Sequence, residues 1–367
     1  MRFRERKVVI TMQPQTVGAN RERVTRIIAV VGCIAGIIGC ITGVKSCIDR
    51  SRDVRIQKEV RVQRLLDEAW DLLGGDKGEP KLGTTHILIT EKVFKRDITF
   101  PQHRSFDRTN LELASRKIDD ALIIDPDNPK VIRMEGTLLV ASGKPDKAVE
   151  KFRRAIQMDP AYVSARSDLG LTLAGLGHLE EASSELQKAI KIDPEEPMMY
   201  HNLGLIEEVR GKFETALSSF RKAAQLDPDN IFFLTVLGGA LVDQGKMDEG
   251  VELLRRAIAL DNSAESAHYN LGVAMFRKGK IDEARRSFEI STKLDPSNDS
   301  AYNNLGACLY REGKLEQAVD AYQTAINLNP DEPSYYENLS KTYRKTGDVD
   351  MAAKTAAKAK VLREKKR

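Results

Sequence analysis

The sequence predicts an all-α chain, a solenoid of helix hairpins preceded by a single transmembrane helix. Three observations carry that expectation. Seven consecutive 34-residue units run from Pro129 to the C-terminus, and self-similarity at a fixed period of this length is the mark of stacked repeats. Inside each unit the apolar residues recur at helical spacing, punctuated by glycine and Asp-Pro pairs. Far upstream, residues 27–44 run without a charge, just long enough to cross the ~30 Å hydrocarbon core of a bilayer as a helix.

The first element is a basic segment, residues 1–26, with Arg2, Arg4, Arg6, Lys7, Arg21, Arg23 and Arg26. Placed before the apolar run 27–44, it gives the pattern of a signal-anchor. Within that run Gly32 and Gly36, then Gly39 and Gly43, make two small-xxx-small spacings. These either let two copies associate closely in lipid or mark a glycine-rich apolar helix. Ile37-Ile38-Gly39-Cys40 also resembles a bacterial lipobox, which would make Cys40 a lipidated residue of an envelope assembly lipoprotein. Against that reading, the apolar run continues past Cys40 to Val44, as an uncleaved anchor would. Seven Lys and Arg precede the run and seven follow within the next twenty residues, so charge leaves the orientation open. The expected location follows the default for a short basic N-terminus: a single-pass protein of the bacterial inner membrane with the repeat domain translocated.

Residues 45–128 join the anchor to the repeats. Over 55–73, Val62, Leu65, Leu66, Ala69 and Leu73 share one helical face, and the stretch stops at Gly74-Gly75. Residues 75–108 hold two short β-like runs, 86–90 and 93–100, in a connection long enough to be functional or disordered. Ala114, Ile118, Ala121 and Asp125-Pro126 then follow the spacing of the second half of a repeat. The segment reads as a juxtamembrane helix with an insertion inside a split repeat, or as a cap of other origin. An insertion that is itself regulatory or catalytic is the alternative to a purely binding function.

The units are 129–162, 163–196, 197–230, 231–264, 265–298, 299–332 and 333–367. Position 8 is glycine from Gly136 to Gly306 and then Ser340, and position 20 is alanine except at Gly250. Small residues at these two places allow antiparallel helices to cross closely. Position 15 is glycine in all seven, from Gly143 to Gly347, which ends a first helix in a left-handed conformation without steric cost. Asp-Pro closes most second helices, because proline has no amide to donate and disfavours helix in its predecessor. Leu169 and its equivalents at position 7, with Phe152 and its equivalents at position 24, supply the apolar faces. Gly250, Asn262, Ser291, Ser340 and Ala356 depart from the pattern, and the last unit is expected to be frayed or specialised.

These positions resemble the tetratricopeptide repeat family, whose Trp, Leu-Gly, Tyr, Ala, Phe, Ala and Pro pattern the chain matches in most units. The resemblance implies a right-handed superhelix whose first helices line a concave groove that holds proteins or extended peptides. It also implies a scaffold without catalysis or cofactor. In position 6 stand Met134, Asp168, Asn202, Val236, Asn270, Asn304 and Asn338. A side-chain amide both donates and accepts, which suits capture of a peptide backbone, and the row is similar to the asparagine ladder of O-linked N-acetylglucosamine transferases. The same asparagines equally suit hydrogen bonds between neighbouring units. Tyr269, Phe276, Arg277, Asn303, Tyr310, Arg311, Arg344 and Lys345 are groove residues by the family register, a mix that favours acidic or aromatic segments. The basic residues among them also suit solvated helix ends facing the macrodipole. The carboxylate clamp of chaperone-binding relatives is not reproduced, since Arg133 goes with Thr137 and Asn303 with Ala307.

Other chemistries find little support. The recurrent Gly-Lys pairs, such as Gly143-Lys144, sit between two helices and lack the spacing of a phosphate loop. The five histidines and four cysteines show no metal-ligand spacing, and the Gly-x-Ser-x-Gly elbow is absent. A net charge of +4 and groove positions such as Leu171, Leu205, Val273 and Glu208 do not suit nucleic acid.

Overall fold

A computed structural model describes residues 52–73 and 108–365. The anchor 27–44, Cys40, the Gly32, Gly36, Gly39 and Gly43 spacings and the two β-like runs of the insertion lie outside the described residues. Among those described, no helix is long and apolar enough to cross a membrane, and all regular structure is helical. The helices are α1 (52–72), then α2 Arg108–Ile124, α3 Pro129–Ala141, α4 Pro145–Met158, α5 Val163–Gly175, α6 Leu179–Ile192, α7 Pro197–Val209 and α8 Phe213–Leu226. They continue as α9 Ile231–Asp243, α10 Met247–Leu260, α11 Glu265–Arg277, α12 Ile281–Leu294, α13 Asp299–Arg311, α14 Leu315–Leu328, α15 Pro333–Thr346 and α16 Val349–Lys365. From α3 onward each odd-numbered helix and its successor form one hairpin, here called units 1 to 7.

Each hairpin turns the same way. The seven position-15 glycines all take positive φ, between 72° and 88°. In unit 1 the Gly143 amide donates to Val140 and the Lys144 amide to Leu139, the paired bonds of a Schellman close. Most second helices end at an extended Asp, such as Asp159 and Asp295, and several first helices start at a residue whose side chain accepts from the first turn, as Asn230 does from Phe232.

In units 1, 3, 5 and 6 the hairpin core is a glycine against a ring, and in units 2 and 4 Leu186 and Leu254 stand in the ring's place. A Cβ on Gly204 would stand 2.5 Å from Phe220 Cε1, one on Gly272 2.7 Å from Phe288, and one on Gly306 2.8 Å from Tyr322. Phe152, Phe220 and Phe288 are fully buried, and burying each contributes roughly 1.5–3 kcal/mol. Unit 7 inverts the pair: Ala356 replaces the ring, so position 8 accommodates Ser340, whose hydroxyl donates to the Ala352 carbonyl at 2.8 Å. The hairpin α15–α16 is therefore fully formed and repacked, not frayed. Ser291, another departure, is buried and donates to Glu265 at 2.5 Å, where Asn298 also donates. Upstream, Lys117 of α2 meets Glu68 of α1 at 2.5 Å.

Candidate functional site

First helices meet their neighbours through two ladders, each set by the 34-residue period. In the first, position 5 of one unit bonds position 6 of the next. Arg133 donates to Asp168 at 2.6 Å, and Asn202 donates to Ser167 at 3.3 Å. Asn304 donates to the Tyr269 hydroxyl at 3.2 Å, and Asn338 donates to Asn303 at 2.9 Å. Three of the four position-6 asparagines thus tie adjacent units together. The fourth, Asn270, makes no such bond among the described residues; its amide lies over Gly239, where a Cβ would come within 2.9 Å of Nδ2.

Exposure separates the rungs. Asn202 is 0% exposed and so stands as a buried tie between units 2 and 3, which corrects its placement as a groove-lining residue. The polar position-5 and position-6 neighbours Ser167, Asp168 and His201 are buried as well. Tyr269, Asn270, Asn303, Asn304 and Asn338 are half-buried. Arg133 and Asp168 form a buried ion pair; burial opposes the Arg133 charge, but the Asp168 carboxylate together with Tyr162 more than offsets this and holds its pKa above the ordinary value. His201 is a packing residue, its ring 4.7 Å from that of Phe232, and His268 bonds the Asn262 carbonyl at 3.0 Å.

In the second ladder, position 13 of one unit lies on position 12 or 13 of the unit before. Arg277 donates to the Val242 carbonyl at 3.0 Å and to Asp243 at 3.1 Å. Arg311 stands over the Phe276 ring at 5.7 Å, and Lys345 over the Tyr310 ring at 4.6 Å. Phe276 and Tyr310 are half-buried, while Arg277, Arg311, Arg344 and Lys345 are exposed. Arg277 is thereby neutralised by a carboxylate, whereas Arg311 and Lys345 rest on rings that attract a cation without cancelling its charge. One more residue belongs here that the repeat pattern did not pick out: Lys341, exposed at position 9, where earlier units carry Leu171, Leu205 and Val273. Its signal was a charge at an otherwise uncharged position.

The outer helices pair their charges. Arg153 meets Glu181 at 2.6 Å, Arg221 meets Glu249 at 2.7 Å and Arg255 meets Glu283 at 3.3 Å, the same rung repeated between successive units. Arg285 gathers Asp282, Glu289 and Glu312. Burial alone would raise the Glu312 carboxyl, but hydrogen bonds from Lys314 and Arg285 hold it below the usual carboxylate range. Among the described residues no cluster of His, Cys, Asp and Glu is arranged to hold a metal.

Fold and face together define a helical repeat scaffold built to present a row of first-helix side chains. Models of the tetratricopeptide repeat family match residues 139–203, 199–230 and 265–298, and a TPR repeat model matches 238–279 and 308–347; these stretches are tetratricopeptide repeats. Among solved structures, pilF of Pseudomonas aeruginosa is 25% identical, covering 56% of this chain and 92% of that one with a TM-score of 0.50. The APC/C hetero-tetramer Cut9–Hcn1 contains a chain 18% identical, covering 78% of this chain and 53% of that one with a TM-score of 0.56. A tetratricopeptide repeat protein from Parabacteroides merdae is 16% identical, covering 64% of this chain and 93% of that one with a TM-score of 0.54. These likenesses support the fold. No curated protein sequence matches the chain.

Proposed function

We propose that this chain is a membrane-anchored scaffold that captures an extended protein segment along the first helices of units 5 to 7 and organises an assembly at the membrane. One observation carries the binding face: Asn270, Asn304 and Asn338 stand half-buried in register with Tyr269, Phe276 and Tyr310. Where Asn304 and Asn338 each give one donor to the neighbouring unit, an amide still has a second N–H and acceptor lone pairs for a peptide backbone. The aromatic rings supply the apolar contact that holds a bound segment in place. The anchor rests on the uncharged run 27–44, and the placement of the repeats outside the cytoplasm rests on the short basic segment before it. Protease accessibility in sealed inner-membrane vesicles of known orientation checks that placement.

The binding reading is tested by selecting extended peptides on the full chain and measuring them again on the combined Asn270→Ala, Asn304→Ala and Asn338→Ala variant. A loss of about tenfold or more in affinity, roughly one net hydrogen bond's worth, with the helical melting curve retained, is the expected result. Unchanged affinity in a folded variant would remove the asparagines from the binding face.

A further inference from the structure

The charge of the terminal unit is arranged unlike that of the rest. Along the outer helices, arginines repeatedly meet carboxylates of the next unit, and on the first-helix face Arg277 is met by Asp243. At the end of that face the pairing stops. Arg311, Lys341, Arg344 and Lys345 are all exposed, and among the described residues none has a carboxylate within ion-pair distance. Glu337 is engaged by Arg363, Glu312 by Arg285 and Lys314, and Asp348, in the turn after α15, accepts the Met351 amide. Lys341, Arg344 and Lys345 fall at i, i+3 and i+4 of α15, one helical face. Arg311 occupies the same position of unit 6 as Lys345 does of unit 7, and both cations are seated on rings of the preceding unit.

We infer that this four-cation cluster docks an acidic segment of a partner protein, running along units 6 and 7 beside Asn304 and Asn338. The inference rests on the binding face proposed above and names the chemistry of its occupant. Four like charges held on neighbouring first helices repel one another, and an anionic occupant relieves that repulsion while restoring the pairing found elsewhere in the chain. A protein segment fits better than a lipid surface or nucleic acid, because two of the cations rest on aromatic rings and the amides of Asn304 and Asn338 stand among them. That surface offers a backbone donors and acceptors and its side chains rings and positive charge. Successive side chains of an extended chain point to opposite sides, so carboxylates at every second residue line one edge that faces the cations while the other edge stays in water.

The test uses the full chain in detergent and a fluorescein-labelled peptide of alternating Glu and Gly with a central Tyr, followed by anisotropy at low and at physiological salt. A peptide with Gln in place of Glu, anionic phosphatidylserine vesicles and a duplex DNA serve as competing probes. Expected are binding of the Glu peptide that weakens with salt, binding of the Gln peptide about tenfold or more weaker, and a similar loss in a variant combining R311Q, K341Q, R344Q and K345Q. Removing equal charge from the outer helices with R153Q, R154Q, R221Q and R255Q is expected to leave the affinity within about twofold. Equal binding of Glu and Gln peptides overturns the acidic assignment while leaving the binding face standing; absence of binding by both, with the asparagine variant also silent, removes both readings. Cluster-dependent binding of vesicles or DNA without binding of the Glu peptide overturns the proposal in favour of those partners.

Discussion

Units 2 and 3 and units 6 and 7 present the same first-helix positions and fill them in opposite ways. At position 9 the former carry Leu171 and Leu205, both buried, and the latter Ala307 and the exposed Lys341. At positions 5 and 6 Ser167, Asp168, His201 and Asn202 are buried, while Asn303, Asn304 and Asn338 are half-buried. At positions 12 and 13 Ala174, Gly175, Glu208 and Val209 give way to Tyr310, Arg311, Arg344 and Lys345. The residues that repeat every 34 positions govern how hairpins close and stack. The residues between them are free to differ, and there the two regions divide into a set that holds the array together and a set that offers itself to a partner.

The largest expected effect falls in the closed region. Arg133→Met leaves Asp168 buried without its counter-charge and is expected to destabilise the array by about 3–5 kcal/mol, read by urea unfolding. The double variant Arg133→Met with Asp168→Leu should recover most of that loss. A small effect of the single change would mean that the pair is not what ties units 1 and 2.

A smaller effect distinguishes stacking from surface. Gly204→Ala drives a Cβ into Phe220 and is expected to cost about 1–3 kcal/mol. Gly250→Ala looks favourable from the repeat, where alanine is the usual residue and its helix propensity is worth roughly 1 kcal/mol. Yet a Cβ there stands 2.8 Å from the backbone oxygen of Gly238 and from Val242 Cγ2, so the change is expected to destabilise. A stabilised Gly250→Ala variant in thermal melting would show that the crossing of α9 and α10 yields easily.

The smallest effect on folding belongs to the open region. Arg311→Gln and Lys345→Gln, each exposed and without a carboxylate partner among the described residues, should change unfolding free energy by no more than about 0.5 kcal/mol, while weakening capture of an acidic segment. A large loss of stability from either would move the cation ladder to the structural set and erase the contrast.

Most of the fold was legible in the residues because the repeat constrains it locally. Left-handed turns need glycine, crossings need small residues, and proline stops a helix, so period and spacing sufficed to locate hairpins from Pro129 onward. The single-residue departures were legible as departures but not as outcomes: Ser340 reads as damage until Ala356 is seen to vacate the space a ring would fill. The candidate face was legible only in part. Its residue types and register could be read, and so could the two roles open to the asparagines, but which role each takes could not.

The sequence by itself determined the α-helical repeat, its seven-unit register and the row of amides and cations at recurring positions, since these depend on neighbours within one hairpin. Only the tertiary structure decided that Asn202 is sealed between units, that Asp243 neutralises Arg277, and that Arg311, Lys341, Arg344 and Lys345 have no carboxylate partner among the described residues. Burial and charge pairing depend on what the next unit brings across some 35 residues of chain, and a pattern read along one unit does not contain that information.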